Sequence, residues 1–480
     1  MKKEKHGFNG AWVLTAAALA SKALGALYRM PLTRILGAHG MGLYQSVYPL
    51  YALLVTLGAG GLCAAASVLT AEAESGGKRF SVPRALLCSL AVTLPLALLG
   101  AAFSRILSRA AGAGEAWLSL LLLCALLPLS GITALYRGYF QGKGRAGSSA
   151  AAQLCEQTVR LLCGLGFAAF LGRISVPLAV LGAALGVCFS EGAGVLVSLL
   201  CYAGRKRAHR TKAADSEAQT ALASEAAAEL FPAPLENLQT LETEDRPAGL
   251  FKRLYAVALP VAAGLAVLPL CGALDSFIVV NLLVRGGAKK DSATALYGLV
   301  SGPCAALIAL PAVCTLGLAN MLLPRISALR KRGEPVWPHL KRAFCFALLV
   351  GLAVGGGLFA FAPLVLRLLY GAGVPSGGVF LLRVCSLAVP CVSVLQIATA
   401  ALQGVGKASV PFFSLLFAAA VKEIVNLVLL PRVGSVGFAL STVLFYAFAC
   451  GADLLFLAFC LRPQKAVVAP LSTSGGNLSN

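Results

Sequence analysis

Eleven ionisable side chains lie inside apolar stretches long enough to cross a bilayer: Lys22, Arg29, Arg137, Glu156, Arg160, Glu191, Asp275, Arg383, Lys422, Glu423 and Asp453. One such charge facing lipid at mid-depth costs ~2.5–3.5 kcal/mol. Eleven facing lipid cost on the order of 30 kcal/mol, more than the ~5–15 kcal/mol that holds a typical fold together. The charges are therefore expected to face one another or a water-filled cavity, and a polar cavity inside a membrane protein implies movement of something polar. Six of the eleven are basic and five acidic. Acids matched to bases suggest structural networks. A Lys or Arg left over suits an anionic headgroup, because Arg grips phosphate bidentately and Lys does so as a point charge.

Their spacing places them on particular helix faces. Lys22 and Arg29 are seven residues apart and share a face. Lys22 is the deeper of the two, and Arg29 is near enough to a span end to snorkel. Gln45 precedes a run of tyrosines in which Tyr44, Tyr48 and Tyr51 share a face. Such rings fit either an interfacial aromatic belt or a sugar-stacking surface. Gln153, Glu156 and Arg160 sit at i, i+3 and i+7, which spaces Glu156 and Arg160 for an internal ion pair. Lys422, Glu423 and Asn426 repeat that theme. Arg137 and Gln141 lie near one span end, and Asp275 and Asn281 lie in a proline-containing span.

The elements that must position these residues follow from composition. The chain has 480 residues, of which 58% are hydrophobic and 12% charged. Its mean hydropathy is +0.83, and a soluble domain is nearer one quarter charged. Apolar runs of about 20 residues recur throughout, the pattern of a polytopic helical membrane protein. The short alternating segments of a transmembrane barrel are not seen. Twelve spans fit: 8–33, 43–70, 84–107, 116–139, 148–171, 176–203, 254–284, 294–323, 340–369, 378–402, 409–430 and 435–461. The first carries Lys22 and Arg29 without a small-residue cleavage pattern, and reads as an uncleaved span. With this assignment, 25 of the 40 Lys and Arg fall in loops on the side of residue 1 and nine, including Arg34, on the other. Both termini are therefore expected in the cytoplasm.

The net charge of +21 is explained by this loop asymmetry, and no nucleic-acid partner is expected. Membrane lipid is the expected surrounding. Residues 204–250 begin basic and turn Ala-rich and acidic, reading as a cytoplasmic linker that is partly helical. The expected organisation is a six-helix lobe over 1–203, the linker, a second six-helix lobe over 251–462 and a cytoplasmic tail over 463–480. The lobes look related: Gln141-Gly142 and Gln403-Gly404 are 262 residues apart, and at that offset Arg160 falls on Lys422. Six spans is an even number, so the repeats are parallel and related by a pseudo-two-fold axis, with a cavity between them. Pro260 and Pro269 are expected to interrupt span 7, and Pro303 and Pro311 span 8. Gly182/Gly186 and Gly351/Gly355 have the GxxxG spacing of close helix packing.

Soluble-enzyme chemistry finds no support. There is no P-loop, no nucleophile elbow and no H-E-x-x-H motif. The 15 cysteines lie mostly in apolar runs without a C-x-x-C pair or nearby His, so they read as packing residues. No enzymatic activity, cofactor or bound metal is expected. Transport would draw on an ion gradient (Na+ or H+), the membrane potential or the substrate gradient.

Three motifs carry a resemblance: "ASKALGALYRMPLTRILGAHGMGLYQSVYPLY" at 20–51, "RGYFQGKGR" at 137–145 with "QLCEQTVRLLCG" at 153–164, and "LQGVGK" at 402–407. The sequence resembles the stage V sporulation protein B and polysaccharide-exporter family of the multidrug/oligosaccharidyl-lipid/polysaccharide flippase superfamily. The resemblance implies an all-α, two-lobed bundle like that of multidrug (MATE) exporters, alternating between inward-open and outward-open states in a bacterial plasma membrane. It implies a polyprenyl-pyrophosphate-linked sugar as substrate, such as lipid II, in cell-wall, spore-cortex or polysaccharide synthesis. By motif, Lys22, Arg29, Arg34, Gln45, Arg137, Gln141, Glu156 and Arg160 line or brace the cavity. The residue reading adds Tyr48, Gln153, Asp275, Asn281, Gln403, Lys422, Glu423 and Asn426. Many lipid II flippases have fourteen spans, against twelve here. Two other readings stay open: a cation-coupled multidrug exporter of the same fold, and a non-transporting membrane scaffold in sporulation.

Overall fold

The computed structural model describes residues 2–75, 80–228, 247–332, 334–371 and 373–461, with Lys22 described as backbone only. All regular structure among the described residues is helical. Ten of these helices are long and apolar enough to cross a membrane. The remaining two expected spans are present in other forms. Ala23–Ser75 is counted as one helix but turns at Gly37, whose backbone lies at φ 66, ψ −174. A side chain would be strained there, so glycine sets the reversal that separates span 1 from span 2. Span 8 is built of shorter pieces, Lys290–Leu299, a π-helical turn Val300–Cys304, Ala305–Ile308 and Leu310–Lys331. Pro303 sits within the π-helical turn and Pro311 opens the last piece, as the sequence leads one to expect. Span 7 differs. Its helix Pro247–Arg285 runs unbroken through both Pro260 and Pro269. A proline removes one backbone hydrogen bond and can be absorbed by a bend rather than a break.

The other spans follow the apolar runs closely: Val82–Ala110, Gly114–Gly142, Ala146–Gly172, Trp337–Ala360 with Ala362–Tyr370, Gly378–Gly404, Ser409–Val433 and Ser435–Cys460. Span 6 begins at Val176 and its backbone continues helical to Ala228, into the expected linker. Residues 229–246 of that linker and the tail at 462–480 lie outside the described residues. Leu98, Leu162, Leu349, Leu368, Phe417 and Leu455 are exposed, as a lipid-facing surface requires.

The buried core divides along the halves of the chain. One cluster packs Leu32, Leu50, Leu120, Leu127 and Val180 of spans 1 to 6. Another packs Leu299, Ile308, Leu366, Leu382 and Phe438 of spans 8, 9, 10 and 12. Span 7 bridges them, for its first turns (Leu250, Leu254, Ala258) enter a cluster with Leu62, Leu69, Leu135 and Phe140. The GxxxG spacings do pack. A Cβ at Gly186 would lie 2.1 Å from Gly164 of span 5, and one at Gly351 2.7 Å from Pro390 of span 10.

Helix breaks are satisfied locally. The break at Phe361 ends the helix Trp337–Ala360. Nearby, Arg383 donates from Nε to the Phe359 carbonyl at 3.2 Å and lies over the Phe359 ring. One of the eleven in-span charges is thereby a cap for an interrupted helix.

Candidate functional site

Seven of the eleven in-span charges gather into two groups, one in each half. In the first half, spans 4, 5 and 6 contribute Arg137, Glu156, Arg160 and Glu191, which meet one another. Glu156 is 6% and Glu191 7% exposed. Arg137 pairs closely with Glu156 through Nη2 and Oε2. The Glu156–Arg160 pair expected from the i,i+4 spacing exists, but at 4.0 Å. Arg160 lies 3.8 Å from Glu191, and its Nε donates to Ser190 Oγ at 3.4 Å. Thr133 donates to Glu191 at 3.4 Å. Two guanidinium groups thus face two carboxylates, and the group is charge-balanced. It is not saturated: Arg137 Nε has no partner, and Arg160 spends five donors on one long hydrogen bond and two loose ion pairs.

A tyrosine wall adjoins this group. Tyr44 and Tyr48 stack at 5.2 Å, and Tyr48 and Tyr51 meet at 6.0 Å. Tyr51 shares a hydrogen bond with Ser130 at 3.4 Å. Tyr28 packs against Gly164, and its buried hydroxyl has no partner. Gln141 acts as a brace, donating to Ser149 at 3.1 Å and accepting from the Cys63 thiol at 3.7 Å.

The second group sits between spans 7, 11 and 12. The Lys422 ammonium donates to both oxygens of Asp275 and to Cys271 Sγ at 3.6 Å. Glu423 is 3.9 Å from the ammonium. Asn426 donates to Asp275 at 3.1 Å and to Glu423 at 3.0 Å, and accepts from Ser441. A third, smaller cluster buries Asp453 of span 12 under Thr399 at 2.9 Å and Ser414 at 2.5 Å. Asp453 lies 262 residues after Glu191 and Thr399 262 after Arg137. The repeat offset therefore relates the acid of span 6 to that of span 12. The same offset in the sequence would have drawn Glu191 and Asp453 into the set of candidate residues.

Between the halves, span 2 meets span 8. A Cβ at Gly42 would lie 2.1 Å from the Thr294 carbonyl oxygen, and one at Gly298 2.2 Å from the Gly42 nitrogen. Gln45 donates to the Ser301 carbonyl at 2.9 Å, and Tyr297 donates to the Gln45 carbonyl at 3.2 Å. Beyond this contact the neighbouring spans part. Span 1 rests on span 5 through Tyr28 and Gly164, while span 8 rests on span 10 through Ile326 and Gly404. A shallow crevice, with room for little more than a water molecule, lies between spans 1, 8 and 9, where Arg29 is the one charged residue beside Met30, Ala306, Leu307, Leu310 and Leu369. Spans 2 and 7 stay together, with Gly61 against the Ala258 carbonyl and Arg253 3.2 Å from Glu72.

The remaining candidates are dispersed. Gln153 is half-buried, and Arg34, Asn281 and Gln403 are exposed. Asn281 donates to the Ala110 carbonyl at 2.6 Å, tying span 7 to the end of span 3. The side chain of Lys22 lies outside the described residues.

Comparison with known proteins bears out the resemblance read from the motifs. The polysaccharide biosynthesis protein family matches residues 8–231. Stage V sporulation protein B of Bacillus subtilis (strain 168) is 28% identical over 374 residues, 76% of this chain and 66% of that protein. The chain thus spans about two thirds of that relative's length. Among solved structures, an inward-facing multidrug resistance MATE family transporter of the MOP superfamily superposes with a TM-score of 0.68 at 16% identity, covering 95% of this chain and 96% of that one. The lipid II flippase MurJ in an inward closed conformation superposes with a TM-score of 0.62 at 13% identity, covering 93% and 87%. The chain shares the fold of these transporter structures, and with ten helices long and apolar enough to cross a membrane among the described residues it is a multi-pass membrane protein.

Proposed function

We propose that this chain, built on the fold of a transporter superfamily, is a flippase for a polyprenyl-pyrophosphate-linked sugar such as lipid II, serving cell-wall, spore-cortex or polysaccharide synthesis. The observation that carries the reading is a cation without an acid partner among the described residues, Arg29, beside a shallow apolar crevice between spans 1, 8 and 9. The crevice walls are apolar and Arg29 is the one charged residue there, and no carboxylate among the described residues lies within ion-pair distance of Arg29. An unpaired cation at an apolar, lipid-side surface suits an amphiphile whose anionic head meets the cation while its chain stays in an apolar phase. A site for organic cations would need exposed acid instead. The buried acids here are each committed to a base or to hydroxyl donors.

In this reading the lobes are residues 1–203 and 251–462, joined by the linker at 204–250, with both termini in the cytoplasm of a bacterial cell. The Gly42–Gly298 contact closes the outer side, and the headgroup enters from the cytoplasmic side. Arg29 and Arg160 are the cations without a close carboxylate partner, and the tyrosine wall offers faces to a sugar ring. Rocking of the lobes about the span 2–span 7 contact carries the headgroup across. The coupling ion, Na+ or H+, is a separate question.

The test is a headgroup-accessibility assay in proteoliposomes containing lipid II or another polyprenyl-linked sugar. Arg29→Ala and Arg160→Ala are each expected to abolish headgroup translocation, Arg29→Ala while leaving thermal unfolding close to wild type. Arg160→Ala also leaves buried Glu191 without a base, so Arg160→Gln/Glu191→Gln, which keeps the group neutral, is its folded control. Full translocation by both variants would reject the site. Translocation of no polyprenyl-linked sugar, with extrusion of cationic dyes, would favour the multidrug exporter. Inactivity in both assays would favour the scaffold.

A further inference from the structure

The second-half group has an arrangement that an ordinary ion pair does not need. Cys271, Asp275 and Glu423 each offer an atom within 4.8 Å of the others, a convergence typical of metal ligands. All three are buried, at 6%, 7% and 8% exposure. Two carboxylates and a thiol are a donor set that a dication such as Zn2+ or Co2+ takes readily. Behind them stands an orienting layer: Asn426 gives its amide N–H groups to Asp275 and Glu423 and is itself fixed by Ser441. Such outer hydrogen bonds are how metal sites hold their ligands. Yet the centre is filled by the ammonium of Lys422, 4% exposed. It donates to Asp275 and to Cys271, lies 3.9 Å from Glu423 and stands 5.2 Å from the centroid of the Phe438 ring.

We propose that Lys422 is a tethered cation occupying a metal-ligand constellation of Cys271, Asp275 and Glu423, so that this site takes no inorganic cation in the wild-type chain and gains one when Lys422 is shortened. An ammonium on a four-carbon stem supplies positive charge without diffusing and without needing to be captured from solution. It keeps spans 7 and 11 together as a bridging ion would, because Asp275 and Cys271 come from span 7 and Lys422 and Glu423 from span 11. Its three N–H donors are spent on Asp275 and Cys271, so Lys422 holds the lobe together and does not grip a substrate. Any ion that drives transport must then bind elsewhere. The inference does not depend on which substrate is carried.

The experiment is a Co2+ titration of the full-length chain in detergent, followed by absorption. A thiolate–cobalt charge-transfer band is expected in Lys422→Ala and not in wild type. With 15 cysteines in the chain, the assignment rests on Lys422→Ala/Cys271→Ala, in which the band is expected to disappear. Co2+ is expected to bind Lys422→Ala at least ~10-fold more tightly than wild type, about 1.4 kcal/mol. A Cys271-dependent band in wild type would overturn the proposal, as would folded Lys422→Ala that binds no Co2+. Should Lys422→Ala fail to fold, wild type decides. Its thermal midpoint is expected to show no dependence on Na+, Li+ or Co2+, relative to choline, that Asp275→Asn removes. Stabilisation by any of the three metal ions that is lost in Asp275→Asn would equally overturn it.

Discussion

Gly298→Leu is expected to abolish transport while leaving a folded protein. A Cβ at this position already falls 2.2 Å from the Gly42 nitrogen and 2.5 Å from its Cα, far inside van der Waals contact, and the facing atoms are backbone that cannot rotate away. Leucine adds three more carbons. Overpacking of this kind costs about 1–3 kcal/mol. Only the state in which spans 2 and 8 touch bears that cost, so the equilibrium moves against it by roughly 5–150-fold. A transporter that cannot close one side cannot complete a cycle. Two measurements check this. Headgroup translocation is expected to fall to background, and a reporter cysteine at Ser301, beside the contact, is expected to become labelled from the outer face. Gly356→Ala is the control: its Cβ meets nothing within 4 Å, and both readouts should match wild type. Gly42→Cys with Gly298→Cys in a cysteine-free background gives the converse, arrest on oxidation and recovery on reduction. Normal translocation in Gly298→Leu with unchanged labelling would show that the Gly42–Gly298 contact does not gate.

This contact explains why the eighth span is broken. A straight helix carrying Thr294, Tyr297 and Gly298 against span 2 would hold that course to its far end. The π-helical turn at Val300–Cys304 re-aims the chain, so that Ile326 reaches span 10 instead. The same turn frees the Ser301 carbonyl that Gln45 caps. Packing between halves and divergence below thus come from one local irregularity, a common use of π-bulges.

Sequence reasoning reached the spans and the repeat because both leave one-dimensional marks. Hydrophobic runs fix length, loop charge fixes alternation, and Gln141-Gly142 with Gln403-Gly404 fixes the offset. It reached the identity of the charged residues, since any charge in an apolar run stands out. It reached their partners only in part. Helical spacing pairs Glu156 with Arg160, and that pair forms at 4.0 Å, but the closer partner is Arg137 on the preceding span. Asp275 and Lys422 pair across 147 positions, a relation no periodicity encodes. For the same reason the charges could be expected to share one pocket, whereas side-chain geometry gathers them into separate groups within each half. Span 7 illustrates the other limit. Two prolines in an apolar run announce an interruption, but whether the helix bends or breaks depends on what packs beside it, and here it runs unbroken through both, with Leu254 and Ala258 packed against spans 2 and 4 before the first proline.

The pair of Arg137 and Glu156 provides the sharpest stability test. Arg137→Met leaves Glu156, 6% exposed, with only Arg160 at 4.0 Å. Removing one partner of a buried ion pair costs about 3–5 kcal/mol, because the orphaned charge keeps its desolvation penalty and loses its close hydrogen bond. Glu156→Leu orphans Arg137 in the same way. The double variant Arg137→Met/Glu156→Leu removes both charges together, leaving Arg160 with Glu191 at 3.8 Å and the group still neutral. Replacing a whole buried pair with apolar groups of similar volume is often neutral. The expected pattern in thermal or denaturant unfolding is therefore two strongly destabilised single variants and a double variant within about 1 kcal/mol of wild type, with a coupling well above that of surface pairs. Translocation should follow stability and return in the double variant, since neither residue is the cation assigned to the headgroup. A double variant as unstable as the singles would mean that the guanidinium serves other partners across the bundle. One that is stable yet inactive would move Arg137 from bracing the lobe to holding the substrate.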